Sequence, residues 1–208
     1  MKIGGDFFLP KTERVAQELL GKILVRKLGE KTLSGIITET EAYIGPHDLA
    51  CHAAKGRTPR TDVMFRSAGT WYVYLVYGMY HCLNIVTEAK DYPAAVLIRA
   101  IKPIKGIKSM IKNRKLNLLK NNLSQLLVTS DQLPITNGPG KLCQALRIDK
   151  RLNGTSAVAK GARLYIEDRG IKITPNQIAR SKRIGVDYAK NWKDKLLRFS
   201  LITDFLPE

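Results

Sequence analysis

The chain is short of cysteine, of long apolar runs and of acids, and each shortage excludes something. Its three cysteines, Cys51, Cys82 and Cys143, are widely spaced and odd in number, which argues against a disulfide framework. No apolar run approaches the roughly 20 residues of a membrane span. The start, MKIGGDFFLP, lacks the apolar stretch of a signal peptide, so a soluble, cytoplasmic protein is expected. There is no GxSxG elbow, Walker loop or dinucleotide fingerprint. His47, Cys51, His52 and the His81-Cys82 pair lack the paired spacing of zinc sites and the deaminase signature, so no metal and no cofactor are expected.

The shortage of acids says most. Eighteen Asp and Glu stand against 35 Lys and Arg, a net charge of +17. Such an excess implies either a polyanionic partner, most often nucleic acid, or a lysine-rich proteome in which enzymes drift basic without one; the distribution favours the partner. Between Tyr92 and Ser130 there is no acid, yet the segment carries Arg99, Lys102, Lys105, Lys108, Lys112, Arg114, Lys115 and Lys120. The spacing of Lys105, Lys108, Lys112 and Lys115 predicts one basic helical face after Gly106.

At 208 residues and 44% apolar content, the chain reads as one domain with a real core. Residues 11–27 read as a helix that turns Val15, Leu19 and Leu20 inward, capped by Thr12, with Gly21 either ending it or letting it pack closely. Strands are predicted at 23–25, 33–43, 70–76, 82–87, 94–100, 164–167 and 196–202, with a helix at 138–146 and a polar linker at about 115–137. The stretch 46–69 is long and irregular, as functional loops are. Strands and helices do not alternate, which favours a mixed α+β domain.

Chemistry concentrates at Glu39-Thr40-Glu41-Ala42-Tyr43. On a strand the two acids and the ring share one face. That face reads either as a salt-bridged surface or as a catalytic carboxylate beside an aromatic. Arg99, within an apolar run, needs an anion, so it either pairs structurally with Glu39 or Glu41 or holds a water jointly with Glu41. Trp71, Tyr72, Tyr74, Tyr77 and Tyr80 fall within ten residues. Tyr77 precedes Gly78 at an expected turn, where an exposed ring could wedge between bases. The loop Asn137-Gly138-Pro139-Gly140-Lys141 either binds a phosphate or is a plain turn.

The segments ETEAYIGPHDLACHAAKGRTPRTDVMF, TWYVYLVYGMYHCLNIV, AAVLIRAIKPIKG, NGPGKLCQALRID and RIGVDYAKNWKDKLLRF occur in order over nearly the whole chain. Together they resemble the alkyladenine (3-methyladenine) DNA glycosylase family of base-excision repair. The resemblance implies a single compact α+β domain, residues 1–208, with a curved antiparallel sheet surrounded by helices. It implies Glu41 as the general base, with Arg99 and the main-chain carbonyl of Ile184 as further water ligands. Tyr43, His52 and Tyr74 would wall a pocket for the flipped base, and Asn84 would crowd the 2-amino group of guanine. Tyr77 would be the wedge, with Met64 and Met79 lining the groove and Arg114, Lys141 and Lys150 at phosphates. Glu39 is read as structural.

The expected activity is monofunctional hydrolysis of the N-glycosidic bond of damaged purines in double-stranded DNA, by a monomer without a membrane partner, nucleoid-associated if bacterial. The alternative is a non-catalytic basic DNA- or RNA-binding module, which would need neither Glu41 nor Arg99.

Overall fold

The computed structural model describes residues 1–116 and 135–202. The expected polar linker lies, but for its ends, outside them. Eight strands form one antiparallel sheet: β1 (Ile23–Leu28), β2 (Lys31–Tyr43), β3 (Trp71–Val76), β4 (Tyr80–Thr87), β5 (Ala94–Lys105), β6 (Leu164–Glu167), β7 (Ile178–Ser181) and β8 (Arg198–Leu201). The main order is β3-β4-β5-β2-β1-β6, with β8 beside β2 and β7 beside β8. Three α-helices are described, α1 (Thr12–Glu18), α2 (Ile107–Asn113) and α3 (Pro139–Ala145). The α+β class stands.

The sheet has two unlike faces because its strands alternate. From β3, Trp71 and Val73 turn toward the helices, as do Leu83 and Ile85 of β4 and Val96 and Ile98 of β5. There they meet Val15, Ala16 and Leu19 of the first helical segment, Met110 of α2 and Leu142 of α3. The opposite face carries Tyr72, Tyr74, Val86 and Ala95, and the 46–69 segment covers it with Cys51, Ala53, Val63 and Met64.

Strand β2 changes allegiance midway. Leu33 and Ile37 face the helices, and with strict alternation residues 39, 41 and 43 would follow them. The register instead slips between Ile37 and Glu39, and again between Glu39 and Thr40, where Arg99 of β5 is passed over. These bulges turn Thr40 toward α1, where its hydroxyl donates to the Ala16 carbonyl at 2.8 Å. Glu39, Glu41 and Tyr43 go to the other face.

Several local expectations are corrected. The first α-helix ends at Glu18, not near residue 27, and Gly21 (φ +81°) sits in the turn that starts β1. Thr12 is not the cap: it lies inside α1, buried, with its hydroxyl bonded to Glu88 and Thr87. The basic helix is shorter than its lysine spacing suggested. Lys105 ends β5 and Lys115 has left the helix with φ +52°, so only Lys108 and Lys112 lie on α2. Strand β7 had no counterpart in the sequence reading. Its four residues, IARS, are too short and too polar to show a period.

Candidate active site

Glu41 lies on β2 between β5 and β8, opposite Leu97 and Arg198. Its side chain is fully buried. Three donors hold the carboxylate: the Ile184 N–H at 2.9 Å, the Tyr43 hydroxyl at 2.8 Å and the Arg99 guanidinium at 3.2 Å. Burial pushes the Glu41 pKa above its ordinary range and outweighs Arg99, the Ile184 amide and Tyr43, which pull it down. Burial and the neighbouring Glu41 also push Tyr43 well up, so its hydroxyl stays a donor at neutral pH.

Arg99 shares its charge. Its Nε donates to Glu39 at 2.9 Å, and Arg198 reaches the same Glu39 oxygen at 3.2 Å. Glu39 is thus the brace of the arginines, in keeping with its structural reading. Ile184 reaches Glu41 through its N–H, where the resemblance had assigned a role to its carbonyl.

A cavity of about 440 Å³ opens beside this carboxylate. Tyr43, His52, Tyr74, Asn84, Arg99 and Ile184 line it. His52 and Tyr74 meet edge to face with centroids 4.6 Å apart, so they form one wall together and leave no slot between them. Tyr43 also lines the cavity. Burial, Arg60 and Lys55 lower the His52 pKa to about 4, which keeps the imidazole neutral, and its Nδ1 lies 2.9 Å from the Tyr72 hydroxyl. Asn84 is tied by its amide N–H groups to the Tyr72 and Cys82 carbonyls at 3.1 and 3.5 Å, which holds its orientation.

The remaining expected residues divide. Tyr77 stands at the β3–β4 turn with φ +51° and is 85% exposed, beside the cavity. Met79 is exposed on the same turn. Met64 is buried and forms part of the cavity wall, not the groove surface. Arg114 turns its Nε and Nη1 into the protein, where neither has a hydrogen-bond partner among the described residues. Lys141 bonds Asn137 at 2.9 Å in the first turn of α3, and Lys150 is exposed. The three cysteines are buried and unpaired. Among the described residues, no helix is long and apolar enough to cross a membrane, and no three His, Cys, Asp or Glu gather as a metal site.

The Arg183–Asp48 pair escaped the sequence reading, and Arg60, in a loop read as either a DNA contact or a structural turn, stands over a ring of the cavity instead. Arg183 and Asp48 form a fully buried pair, and the guanidinium also donates to the Ala42 carbonyl at 2.9 Å and lies 4.8 Å over the Tyr43 ring. Arg60 lies 5.1 Å over Tyr74. Both join distant segments, and no local pattern marks such a pairing.

The sequence profile of the methylpurine-DNA glycosylase family matches residues 6–204. The chain belongs to that family. It is accordingly a DNA-repair hydrolase acting on N-glycosidic bonds. A Clostridium perfringens (strain 13 / Type A) protein named "Putative 3-methyladenine DNA glycosylase" is 46% identical over 200 residues, covering 96% of this chain and 95% of its own. Proteins of the same name from Natranaerobius thermophilus and Methanocella arvoryzae are 44% and 49% identical. The alignments cover 96% and 88% of the glycosylase described here, and 94% and 84% of those relatives.

Proposed function

We propose that the glycosylase rotates a damaged purine out of duplex DNA into the cavity beside Glu41, and that Glu41 activates the water that displaces it. One observation carries this reading. A buried carboxylate, held by the Ile184 amide, the Tyr43 hydroxyl and Arg99, lies directly behind these three lining residues of an aromatic-lined cavity large enough for a purine. A non-catalytic nucleic-acid module has no use for it.

The duplex hides its glycosidic bond, so extrusion costs a few kcal/mol of lost stacking and pairing. Tyr77, exposed at the hairpin turn, offsets part of this by filling the gap. Between Tyr43 and the His52–Tyr74 wall the base is stacked, and a cationic alkylpurine gains cation–π attraction as well. The alkylated base leaves readily, so the chemistry required is a nucleophile and charge stabilisation at C1′. Glu41 accepts the water's proton while its charge faces the developing oxocarbenium ion. Arg99 and the Ile184 amide orient the carboxylate and moderate the effect of burial. Asn84, fixed by its two carbonyl partners, crowds the purine edge that carries guanine's 2-amino group. Among the described residues no lysine lines the cavity, which supports hydrolysis without strand cleavage.

The test uses a duplex holding one ethenoadenine or hypoxanthine, incubated with the protein and then treated with alkali. Breaks at the lesion are expected with the wild type and not with Glu41→Gln. Breaks that survive this substitution would refute the mechanism. No breaks with any lesion would favour the binding module.

A further inference from the structure

A second cleft, of about 740 Å³, lies where the two edges of the sheet approach each other. Strands β3 and β6 end the strand order, and the Trp71 indole N–H on β3 donates to the Leu164 carbonyl on β6 at 3.0 Å. Six basic side chains line this seam, among them Arg147, Arg151, Lys160 and Arg163, against a single acid, Asp149. That acid is already committed: Arg151 holds its carboxylate at 2.7 to 3.1 Å.

Of these six, Arg26 is the one cation that the fold buries. It follows Leu24 by two on β1 and so turns to the same side, at the end of the helix-packed core. It is only 8% exposed. Its Nε is buried without a partner among the described residues, and its Nη1 reaches only the Arg163 carbonyl, at 3.5 Å. Burial of this guanidinium is unfavourable, and Asp149 offsets part of it. That carboxylate is shared with Arg151, however, and Arg151, Arg163 and Arg147 add like charge, so a further anion would be favoured. The guanidinium's planar fork of donors matches a phosphate, and the outer cations supply the remaining charge.

We propose that this seam cleft is a second anion site, which takes a phosphate group with Arg26 as its buried anchor. The phosphate comes either from the DNA backbone flanking the lesion or from a free phosphate compound. The first source is within reach. The six residues of β3 span about 20 Å from the seam to Tyr77, or about six base pairs along a duplex. The segment bearing Lys150 runs beside that strand, since Val73 N–H donates to Asn153 at 2.9 Å. The backbone source rests on the glycosylase reading, whereas the anion site does not.

The test has two arms, neither of which reads excision. In the first, the full-length protein is titrated calorimetrically with pyrophosphate. Saturable binding is expected, weakened about tenfold or more in Arg26→Met. Should that variant fail to fold, Arg147→Gln with Arg163→Gln, at the exposed rim, is expected to weaken binding in the same direction. In the second arm, anisotropy follows an undamaged duplex across salt concentrations. A backbone source lowers the log–log salt slope by about one in Arg26→Met or in the rim variant. A free-phosphate source leaves that slope unchanged while pyrophosphate binding is lost. If pyrophosphate binds equally to wild type and variants, or not at all, and the salt slope is unchanged, the proposal fails. A protein that binds pyrophosphate here and excises nothing would leave this site standing and remove the lesion mechanism.

Discussion

Glu41 carries a conflict between catalysis and stability. Burial raises its folded pKa above the ordinary 4.5. Between the two values the folded chain keeps a proton that the unfolded chain has released, so stability falls as pH rises through that window and stays lower above it. Glu41→Gln removes this loss. At pH 7 its melting temperature is expected to be no lower than that of the wild type, with the gap shrinking below pH 4. Its single-turnover excision rate should drop by about 10² to 10⁴. A variant that melts much lower would mean that the ionised carboxylate stabilises the fold. The same shift places the acidic limb of the pH–rate profile above the usual carboxylate range. His52 is excluded as its source, because its pKa is lowered to about 4. A proton titration followed by NMR should find the His52 midpoint near that value, and a midpoint near 6.5 would reopen the assignment of the acidic limb. For stability the sign for His52 is opposite. The unfolded imidazole takes up a proton that the folded one refuses, so stability is lost as pH falls from about 6.5 toward 4.

Two turns show how elements present the site. The β3–β4 hairpin holds Tyr77 in the left-handed region with its ring exposed, touching no core. Tyr77→Ala is therefore expected to leave stability within about 0.5 kcal/mol. It should weaken binding to a lesion duplex by about 1 to 3 kcal/mol, the worth of one stacked ring. Urea denaturation and anisotropy together check this, and a large loss of stability would recast the ring as structural. Gly106 joins β5 to α2 at φ +78°, and a Cβ there would lie 2.3 Å from a Leu33 methyl and 2.9 Å from the Thr32 carbonyl. Gly106→Ala should cost about 1 to 3 kcal/mol by urea denaturation. The strands were legible where apolar runs or alternation marked them, as in β3, β4 and β5. The short polar β7 was not, because only pairing with β8 makes it a strand. The paired bulges at Thr38 and Arg99 were invisible too, since nothing in LSGIIT says where the ladder slips.

Across the whole molecule, the excess of 17 positive charges and the exposed hairpin predict binding dominated by backbone phosphates. The affinity for undamaged duplex should fall linearly on a log–log plot against salt, with a slope of about 0.9 per phosphate contacted. A slope near zero would leave the charge without a role in binding. The sequence by itself determined the α+β class, the net positive charge and the family-bearing motifs, because these depend on composition, alternation and contiguous residues. ETEAY and YGMY each lie within one strand or turn, so their chemistry could be read locally. Only the tertiary structure decided what those residues do to one another. It showed that Ile184 gives Glu41 its N–H, that Arg183 and Asp48 hold Tyr43 in place, and that burial outweighs Arg99 at the carboxylate. It also brought Arg26 into a seam with residues more than a hundred positions away. Desolvation and ion pairing depend on which segments meet in space, and one-dimensional spacing carries no record of that.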